Sequence, residues 1–312
     1  MPMLEPQLNV TREFRGIDPP PGVCIPTVTE LLSLCTAKHP CHYAMHLAYP
    51  PQNPVLWIKY GSSVVWNEVP AQAMAYHELR RLGSPVRAPA VFYACTVNYE
   101  SYLVMEYIPG KTAAQLLEDT NEPAHKEAIY RQVAFALSEL HRIPVPQGSR
   151  PAALDGGRIR HSIFDDAEAP RHYQNVDQLE QHLNLFLQIT KRKSRVQDLA
   201  REPMIFCHSD LWFGNFMIDQ DGRVTVIDFA NTSILPSSFS KFLLLPSQNR
   251  LRSVVSKWVS IPSTDGVDNT AALADASGPM IMGQSSFASI GRRVPGNLNR
   301  EGETIEYYAQ VN

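Results

Sequence analysis

The chain has 312 residues, a formal net charge of −3 at pH 7, 44% hydrophobic residues and 19% charged residues. This length allows one large domain or two lobes with a substantial core, and the composition is that of an ordinary globular protein. The small net charge argues against nucleic-acid binding as the main activity.

The N-terminal sequence, the lengths of the apolar runs and the cysteines favour a cytoplasmic protein without a membrane partner. The N-terminus lacks a basic region followed by an apolar core, so no secretory signal is predicted. No run reaches the ~18 apolar residues that a membrane span needs. The five cysteines are scattered and lack C-x-x-C spacing, which is typical of reduced thiols in an intracellular compartment. The sequence gives no indication of the oligomeric state.

In chain order, the predicted elements form an N-terminal lobe, residues 1–108, and a C-terminal lobe, residues 109–312. The first lobe is expected to be rich in strands and to have one main helix. Its predicted segments are an irregular Pro-rich stretch (1–26), a short helix (27–35), strand-like stretches from Cys41 to Lys59 with a strand at 55–59, a helix (68–82) and strands at 90–94 and 102–108.

The second lobe begins after Pro109-Gly110, because Pro and Gly punctuate a change of chain direction. It is expected to be mostly helical. Its predicted segments are helices at 112–118, 124–142 and 175–200, a long ordered loop (145–174), a hairpin near 216–227 and further helices after 237.

The hairpin at 216–227 carries the most informative chemistry. Two apolar, β-prone runs flank Asp221-Gly222, a turn signal because glycine accepts positive φ. Folding the chain at this turn brings Asn215 and Asp228 side by side at the open end. Amide and carboxylate oxygens suit Mg²⁺, which keeps further positions for water and phosphate. The hairpin therefore predicts a magnesium site formed by Asn215 and Asp228.

His208, Asp210 and Asn215 stand in the spacing H-x-D-x-x-x-x-N. Asp210 lies at the mouth of the same site, where it can accept the proton of a hydroxyl group. Asp-Gly hairpins are common, and a lone H-x-D is more often a capped turn than a catalytic loop. Joined in this order and spacing, they match a kinase catalytic loop followed by a metal loop, and they predict phosphoryl transfer to an alcohol.

Two other features have a simpler interpretation that is preferred. Cys207 beside His208 suggests a thiol nucleophile, but an apolar cysteine at the end of a buried strand is favoured. The basic run 191–195 suggests targeting or phosphate binding, but on a predicted helix a solvated face is favoured.

Taken in order, a strand-end lysine, a helix, a strand running into a hinge, H-S-D-L-x-x-x-N and I-D-F resemble the protein-kinase-like fold. Within that fold, the chain is most similar to the aminoglycoside phosphotransferase and choline-kinase-like group of small-molecule kinases, from about Val55 to Phe239. The stretches 102–110 and 157–161 resemble a fungal-type branch of the group. The resemblance implies an α+β, two-lobed fold in which an antiparallel sheet with one main helix precedes a mostly helical lobe.

The resemblance also implies roles in binding ATP and Mg²⁺. Lys59 binds the α- and β-phosphates, and the hinge offers backbone groups to adenine at Glu106, Tyr107 and Ile108. Asp210 orients or deprotonates the acceptor hydroxyl. Asn215 and Asp228 hold the metal, and His208 is structural, bonding to the backbone of the metal loop.

Three positions on the predicted helix compete as the partner of Lys59. The position expected for the partner, counted back along the chain from Pro89, is near Gln72. Glu68 lies one turn earlier on the helix, and Glu78 lies further on. Glu68 is the preferred partner, because Gln72 lies on its face at i+4 and can support it.

Several family features are absent from the sequence. No G-x-G-x-x-G precedes Lys59, the metal loop reads D-F-A in place of D-F-G, and the G-D-P segment of aminoglycoside-modifying enzymes is missing. No A-P-E follows Asp228, which argues against a peptide substrate. Between Gly148 and Ala200 there are seven acidic and eight basic residues. A polycationic acceptor would favour an acidic excess there, so the balance favours a neutral or mildly anionic small molecule.

Two classes of function remain. The first is an ATP- and Mg²⁺-dependent phosphotransferase, and the second is a catalytically silent kinase-like binding protein or a repurposed scaffold. The presence of Lys59, Asp210, Asn215 and Asp228 together favours the enzyme.

Overall fold

A five-stranded antiparallel sheet forms the first half of the protein. The structure, a computed structural model, describes residues 9–38, 45–246 and 250–284. The strands of the sheet are β1 (Val10–Arg15), β2 (Met45–Tyr49), β3 (Leu56–Gly61), β4 (Val91–Val97) and β5 (Glu100–Glu106). Their spatial order is β1-β4-β5-β3-β2, which places the lysine-bearing strand β3 against the strand that leads to the hinge.

Two helices accompany this sheet. Helix α1 (Val28–Lys38) begins with a capping box in which Thr27 and Glu30 exchange hydrogen bonds between side chain and backbone. Helix α2 (Glu68–Arg81) is the main helix of this half, and it buries Val69 and Leu79. The predicted helix over 68–82 is confirmed.

The second half is mostly helical and contains two small three-stranded sheets. Its elements are β6 (Lys111–Thr112), α3 (Ala113–Asp119), α4 (Pro123–His141), β7 (Ala152–Ala153), α5 (Val176–Ile189), β8 (Met204–His208), β9 (Phe216–Ile218), β10 (Val224–Val226), β11 (Thr232–Pro236), α6 (Ser238–Leu243), α7 (Arg250–Val255) and α8 (Thr270–Gln284). The two sheets have the strand orders β10-β9-β6 and β7-β11-β8.

The buried hydrophobic residues form three clusters, and the largest of them also includes Ala71, Ala75 and Leu79 of α2. One cluster surrounds Leu31 and Ile58 in the sheet, and a larger one runs through the helical half around Leu140 and Phe206. This is the α+β, two-lobed architecture that the resemblance implies. The boundary between residues 108 and 109 stays a prediction, and residues 1–8, 39–44, 247–249 and 285–312 lie outside the described residues.

The structure corrects three expectations about secondary structure. The stretch 1–26, expected to be irregular, contains the edge strand β1, whose side chains are mostly exposed and therefore carry no hydrophobic pattern. The helix expected over 175–200 ends at Ile189, and Lys191 has φ of +55°, so the exposed basic run lies beyond the helix. Strand β11, which sequence reasoning missed, precedes α6.

The long loop at 145–174 is ordered, as predicted. Its buried side chains include Ile163, Phe164 and Tyr173, and β7 within it pairs with β11. Within the ranges described above, no helix is both long and apolar enough to cross a membrane.

Candidate active site

The predicted hairpin is formed by β9 and β10, which pair antiparallel with Ile218 opposite Val224. Asp219 shapes the turn, because its side chain accepts the N–H groups of Asp221 and Arg223, each at 2.9 Å. Gly222 has φ of +77°, the conformation for which glycine was expected at this turn.

The hairpin contacts both halves of the protein. On one side, β9 pairs with β6, directly after the hinge. On the other side, Arg87 exchanges backbone hydrogen bonds with Val224 and Val226, at 2.9 and 2.8 Å. The hairpin is therefore held between the segment that precedes β4 and the start of the helical half.

Asn215 and Asp228 meet at the open end of the hairpin. The N–H of Ile227 donates to the carbonyl of Asn215 at 2.9 Å, which brings the two chain segments together. The Asn215 Nδ2 donates to the carbonyl of Asp210 at 3.1 Å, so the amide nitrogen is engaged and the amide oxygen is the atom suited to a cation. Asp228 has φ of +60°, a costly backbone conformation for a residue other than glycine.

Lys59 joins the two halves at this point. Its Nζ lies 2.7 Å from Glu68 Oε2 and 3.2 Å from Asp228 Oδ1. Burial alone lowers the pKa of Lys59, but the charges of Glu68 and Asp228 outweigh that effect and hold the pKa above its ordinary value. Burial raises the pKa of Glu68 to about 7, although the Lys59 charge opposes this shift.

The other two candidate partners of Lys59 have different contacts. Gln72 Nε2 donates to the carbonyl of Pro89 at 3.1 Å and contacts Met105 Sδ at 3.3 Å, so it does not give Glu68 the support expected from it. Glu78 binds Arg81 at 2.7 Å, with the Arg81 side chain exposed. The structure thus brings Glu68 to Lys59, and Gln72 braces the hinge strand.

The hinge backbone is only partly open to a ligand. The N–H groups of Glu106 and Tyr107 donate to the carbonyls of Ala90 and Val55, at 2.9 and 3.1 Å. Among the hydrogen bonds between described residues, the N–H of Ile108 is not a donor, so it is the hinge N–H best placed for adenine. The Glu106 side chain is also occupied, since its carboxylate binds Arg87 at 2.8 Å.

A cavity of about 450 Å³ connects these groups. Its lining includes Lys59, Glu68, Glu106, Tyr107, Ile108, Asn215 and Asp228, together with Trp57 and Trp212. Sequence reasoning missed both tryptophans. Trp57 could have been found, because it lies two residues before Lys59 on a strand and therefore faces the same side. Its ring stacks on His46 with centroids 4.6 Å apart and forms an aromatic wall.

The predicted catalytic loop, residues 208–215, is bonded to the chain that follows the predicted metal loop. Ser209 donates to the carbonyl of Asn231 from both its backbone N–H and its hydroxyl, each at 2.8 Å. Asp210 follows in a half-buried position. The His208 ring is buried and packs on Phe229, and its Nδ1 lies 3.2 Å from Thr232 Oγ1.

Burial lowers the pKa of His208, although the charges of Asp210 and Asp228 oppose the shift. A buried ring with these contacts is a spacer between the two loops, and its bond goes to the Thr232 side chain where the metal-loop backbone was expected. Cys207 is fully buried in β8, and burial raises the pKa of its thiol to about 12. The buried interpretation of Cys207 is therefore correct, since a nucleophile needs accessible thiolate.

Trp212 marks the outer edge of the site, with 61% of its surface exposed. A Cβ at Gly214 would lie 2.4 Å from the Trp212 ring, so the ring rests directly on the Gly214 backbone. The missing side chain of Gly214 therefore creates the space that this indole occupies.

Residues 66–236 match the model of the phosphotransferase enzyme family. This match covers more than half of the chain, and the chain belongs to that family.

Among curated proteins, the chain is 25% identical to an aminoglycoside 3'-phosphotransferase of Escherichia coli over 195 residues. It is 24% identical to the enzyme of the same name of Salmonella typhimurium. Each match covers 59% of this chain and 65% of the relative, so the chain spans less than two thirds of the length of these relatives.

Solved structures with a similar chain path include two aminoglycoside phosphotransferases. That of Streptomyces rimosus in complex with ADP and streptomycin is 15% identical, with 82% of this chain and 99% of that chain covered and a TM-score of 0.43. A second, in complex with gentamicin, is 16% identical, with 75% and 86% covered and a TM-score of 0.42.

Proposed function

We propose that the protein is an ATP- and Mg²⁺-dependent phosphotransferase that transfers the γ-phosphoryl group to a hydroxyl of a small molecule. The observation that carries the proposal is the Lys59 ammonium bound to both Glu68 and Asp228, beside Asn215 in one cavity. A phosphate-binding cation next to two hard-oxygen ligands is the arrangement that phosphoryl transfer needs.

The cavity has groups suited to each part of a nucleotide. The Ile108 N–H and the Trp57 ring suit the base, since an amide and an aromatic face bind a flat heterocycle. Lys59 suits the phosphates, because its ammonium is fixed by two carboxylates and has donors to share. When bound, Mg-ATP supplies the phosphoryl group and the cation that neutralises its charge.

The metal ligands fit Mg²⁺ by their chemistry. Asn215 offers an amide oxygen whose direction is set by the bond from its Nδ2 to Asp210. Asp228 offers a carboxylate oxygen, and its side chain is 39% exposed, so it can reach a hydrated cation.

Asp210 is the proposed base. Its carboxylate takes the proton from the hydroxyl group of the substrate. The two bonds that Ser209 donates to the Asn231 carbonyl hold Asp210 beside the metal loop. The His208 ring lies buried behind Asp210, and this burial lowers the pKa of the ring.

A small-molecule acceptor is supported by the chain after Asp228. Strand β11 begins at Thr232 and α6 begins at Ser238, which leaves no extended segment for docking a peptide. The relatives named above act on aminoglycosides by name. The even charge of 148–200 favours a less cationic alcohol for this chain.

Nucleotide binding is tested by thermal unfolding of the wild type and Asp228→Ala with saturating Mg-ATP. A ligand at about 100 times its Kd adds about 2.7 kcal/mol of stability, which for a protein of this size raises Tm by roughly 4 °C. We expect the wild type to show this shift and Asp228→Ala to lose most of it. An exposed carboxylate, changed in Asp221→Ala, serves as the control and should keep the shift. No shift in the wild type would refute the proposal.

Catalysis is tested separately with Asp210→Asn. Removing the base should leave the Mg-ATP shift intact and lower turnover by about 10²–10⁴-fold, measured as ADP release in a screen of hydroxyl compounds. Retained turnover would exclude Asp210 as the base. Binding of Mg-ATP without turnover of any compound would favour the silent binding protein.

A further inference from the structure

Asn67 directly precedes Glu68 and is buried, with 1% of its surface exposed. It is the N-cap residue of α2, a position where an asparagine side chain commonly accepts an N–H of the first helical turn. In this protein the side chain makes no capping bond. Its hydrogen-bonding capacity is used elsewhere.

The amide of Asn67 joins three segments of the chain. Nδ2 donates to the carbonyls of Ala230 and Thr232, at 3.0 and 2.8 Å. Oδ1 accepts the N–H groups of Leu154 and Asp155, at 2.6 and 3.3 Å. All four positions of the amide are used, and only one of its two orientations places donors against carbonyls and the oxygen against N–H groups.

The two carbonyls belong to the metal loop and its continuation. Ala230 lies two residues after Asp228, whose positive φ must be held by its surroundings. On the other side, Asn67 is bonded along the chain to Glu68, which binds Lys59. One side chain therefore ties the start of α2, where Glu68 stands, to the backbone that follows Asp228.

We propose that Asn67 is a positioning residue that holds Glu68 and Asp228 in the arrangement required for Mg-ATP. This inference rests on the proposed function. An apolar residue at this position would fill the space but would remove the Asn67 partner from two carbonyls and two N–H groups, of which the Thr232 carbonyl lies in a buried hydrogen bond and the others in partly buried surroundings. Asparagine satisfies both kinds of group at once, whereas aspartate satisfies only the N–H groups.

The test is Asn67→Asp, which has nearly the same shape. Its carboxylate still accepts from Leu154 and Asp155, but it presents no donor to Ala230 and Thr232. The matched control is Asn121→Asp, the same change at an exposed position. Without nucleotide, we expect hydrogen exchange in residues 228–234 to be about tenfold faster or more in Asn67→Asp, with protection of 152–156 retained.

The second measurement separates positioning from general damage. The Tm shift is recorded with ATP and Mg²⁺ and again with ATP and a chelator, and the difference reports on the metal. Asn67→Asp should lose most of the Mg²⁺-dependent difference and keep the metal-free shift, which depends on Lys59 and the hinge. A merely unfolded or loosened protein would lose both.

Lowering the pH should partly restore the slow hydrogen exchange of residues 228–234 in Asn67→Asp, because a protonated carboxyl group regains a donor. If Asn67→Asp does not fold, Asn67→Ser gives the same two measurements without adding charge. Unchanged exchange at 228–234 together with an unchanged Mg²⁺-dependent shift would overturn the inference. If the wild type shows no Mg-ATP shift, the proposed function fails, and hydrogen exchange alone decides whether Asn67 holds the metal loop.

Discussion

At the residue scale, the pair formed by Lys59 and Glu68 is asymmetric. The Glu68 side chain is 1% exposed, whereas Lys59 is 22% exposed and has Asp228 as a second partner. Removing Glu68 leaves a lysine that is still paired and partly hydrated. Removing Lys59 leaves a buried carboxylate without its cation, which is the more costly change.

We therefore expect Lys59→Met to destabilise the protein by about 3–5 kcal/mol near pH 9. The pKa of Glu68 is already raised by burial, and without Lys59 it rises further. Above the ordinary pKa of glutamate, the folded state then holds a proton that the unfolded state has released, so stability falls as pH rises through the folded pKa. Urea unfolding near pH 6 and near pH 9 measures the difference, with the smaller loss expected near pH 6.

Glu68→Gln is the matched variant at the other end of the pair. We expect its stability to change by less than about 1 kcal/mol at either pH, because it removes a buried charge and leaves Lys59 with Asp228. Equal losses for Lys59→Met and Glu68→Gln would show that the pair is not asymmetric.

Residues of the site differ in how far the sequence reveals them. Asn215 and Asp228 can be assigned from spacing, because a short hairpin determines which residues meet at its open end. Asn67 cannot, since its partners lie 87 residues away at Leu154 and 163 residues away at Ala230. Hydrogen bonds to backbone atoms of distant segments leave no local pattern of residue types.

At the element scale, the hairpin of β9 and β10 depends on the conformation of Gly222. A Cβ at this position would lie 3.0 Å from Gln132 Nε2, the group that donates to the Gly222 carbonyl at 3.0 Å. Gly266 has the same φ of +77°, but a Cβ there would have nothing within 4 Å. An alanine substitution would therefore cause the same backbone strain at either glycine. At Gly222 it would also disturb the contact with Gln132 of α4.

We expect Gly266→Ala to lower the free energy of unfolding by about 1 kcal/mol, the cost of left-handed backbone for a residue with a Cβ. Gly222→Ala should cost about 1 kcal/mol more, because it also displaces the Gln132 hydrogen bond. Chemical denaturation of both variants measures the difference. Equal losses would mean that Gln132 does not hold the turn.

Elements with a hydrophobic period are predicted well from the sequence, and those without one are not. Helices α2 and α4 were placed to within two residues at each end, since their apolar faces pack on the cores. Strand β1 is held by backbone pairing to β4 and has largely exposed side chains. The end of α5 is set by Lys191, whose left-handed backbone (φ of +55°) lets the Arg192 N–H donate to the Leu187 carbonyl at 2.8 Å, and a lysine in this role gives no sequence signal.

At the scale of the whole molecule, the helical half contains four buried imidazoles among its described residues, and three of them lie away from the loop at 208–215. Burial lowers the pKa of His141 to about 4, of His161 to about 3 and of His182 to about 4. They lie in α4, in the long loop and in α5. These three rings are therefore neutral in the folded protein near pH 7.

The contacts of His161 show why a proton is excluded. Its Nδ1 accepts the N–H of Ile163 at 3.1 Å, and its Nε2 faces the carbonyl of Phe239 at 3.3 Å. A proton on Nδ1 would face the Ile163 N–H in a site without exposure to water. By contrast, His141 faces the Ser240 hydroxyl at 2.8 Å, which can rotate to accept.

We expect the free energy of unfolding to fall as pH drops from about 6.5 to about 4. In this window the unfolded chain binds protons at these histidines and the folded chain does not, so stability rises with pH. Each group contributes at most roughly 3–4 kcal/mol.

His161→Asn keeps an acceptor near the Ile163 N–H and removes one titrating group, so urea unfolding should show a pH slope smaller by about one proton. His125→Asn, at an exposed position, should leave the slope unchanged. The same slope in His161→Asn and the wild type would show that His161 is not among the groups whose protonation unfolds the protein.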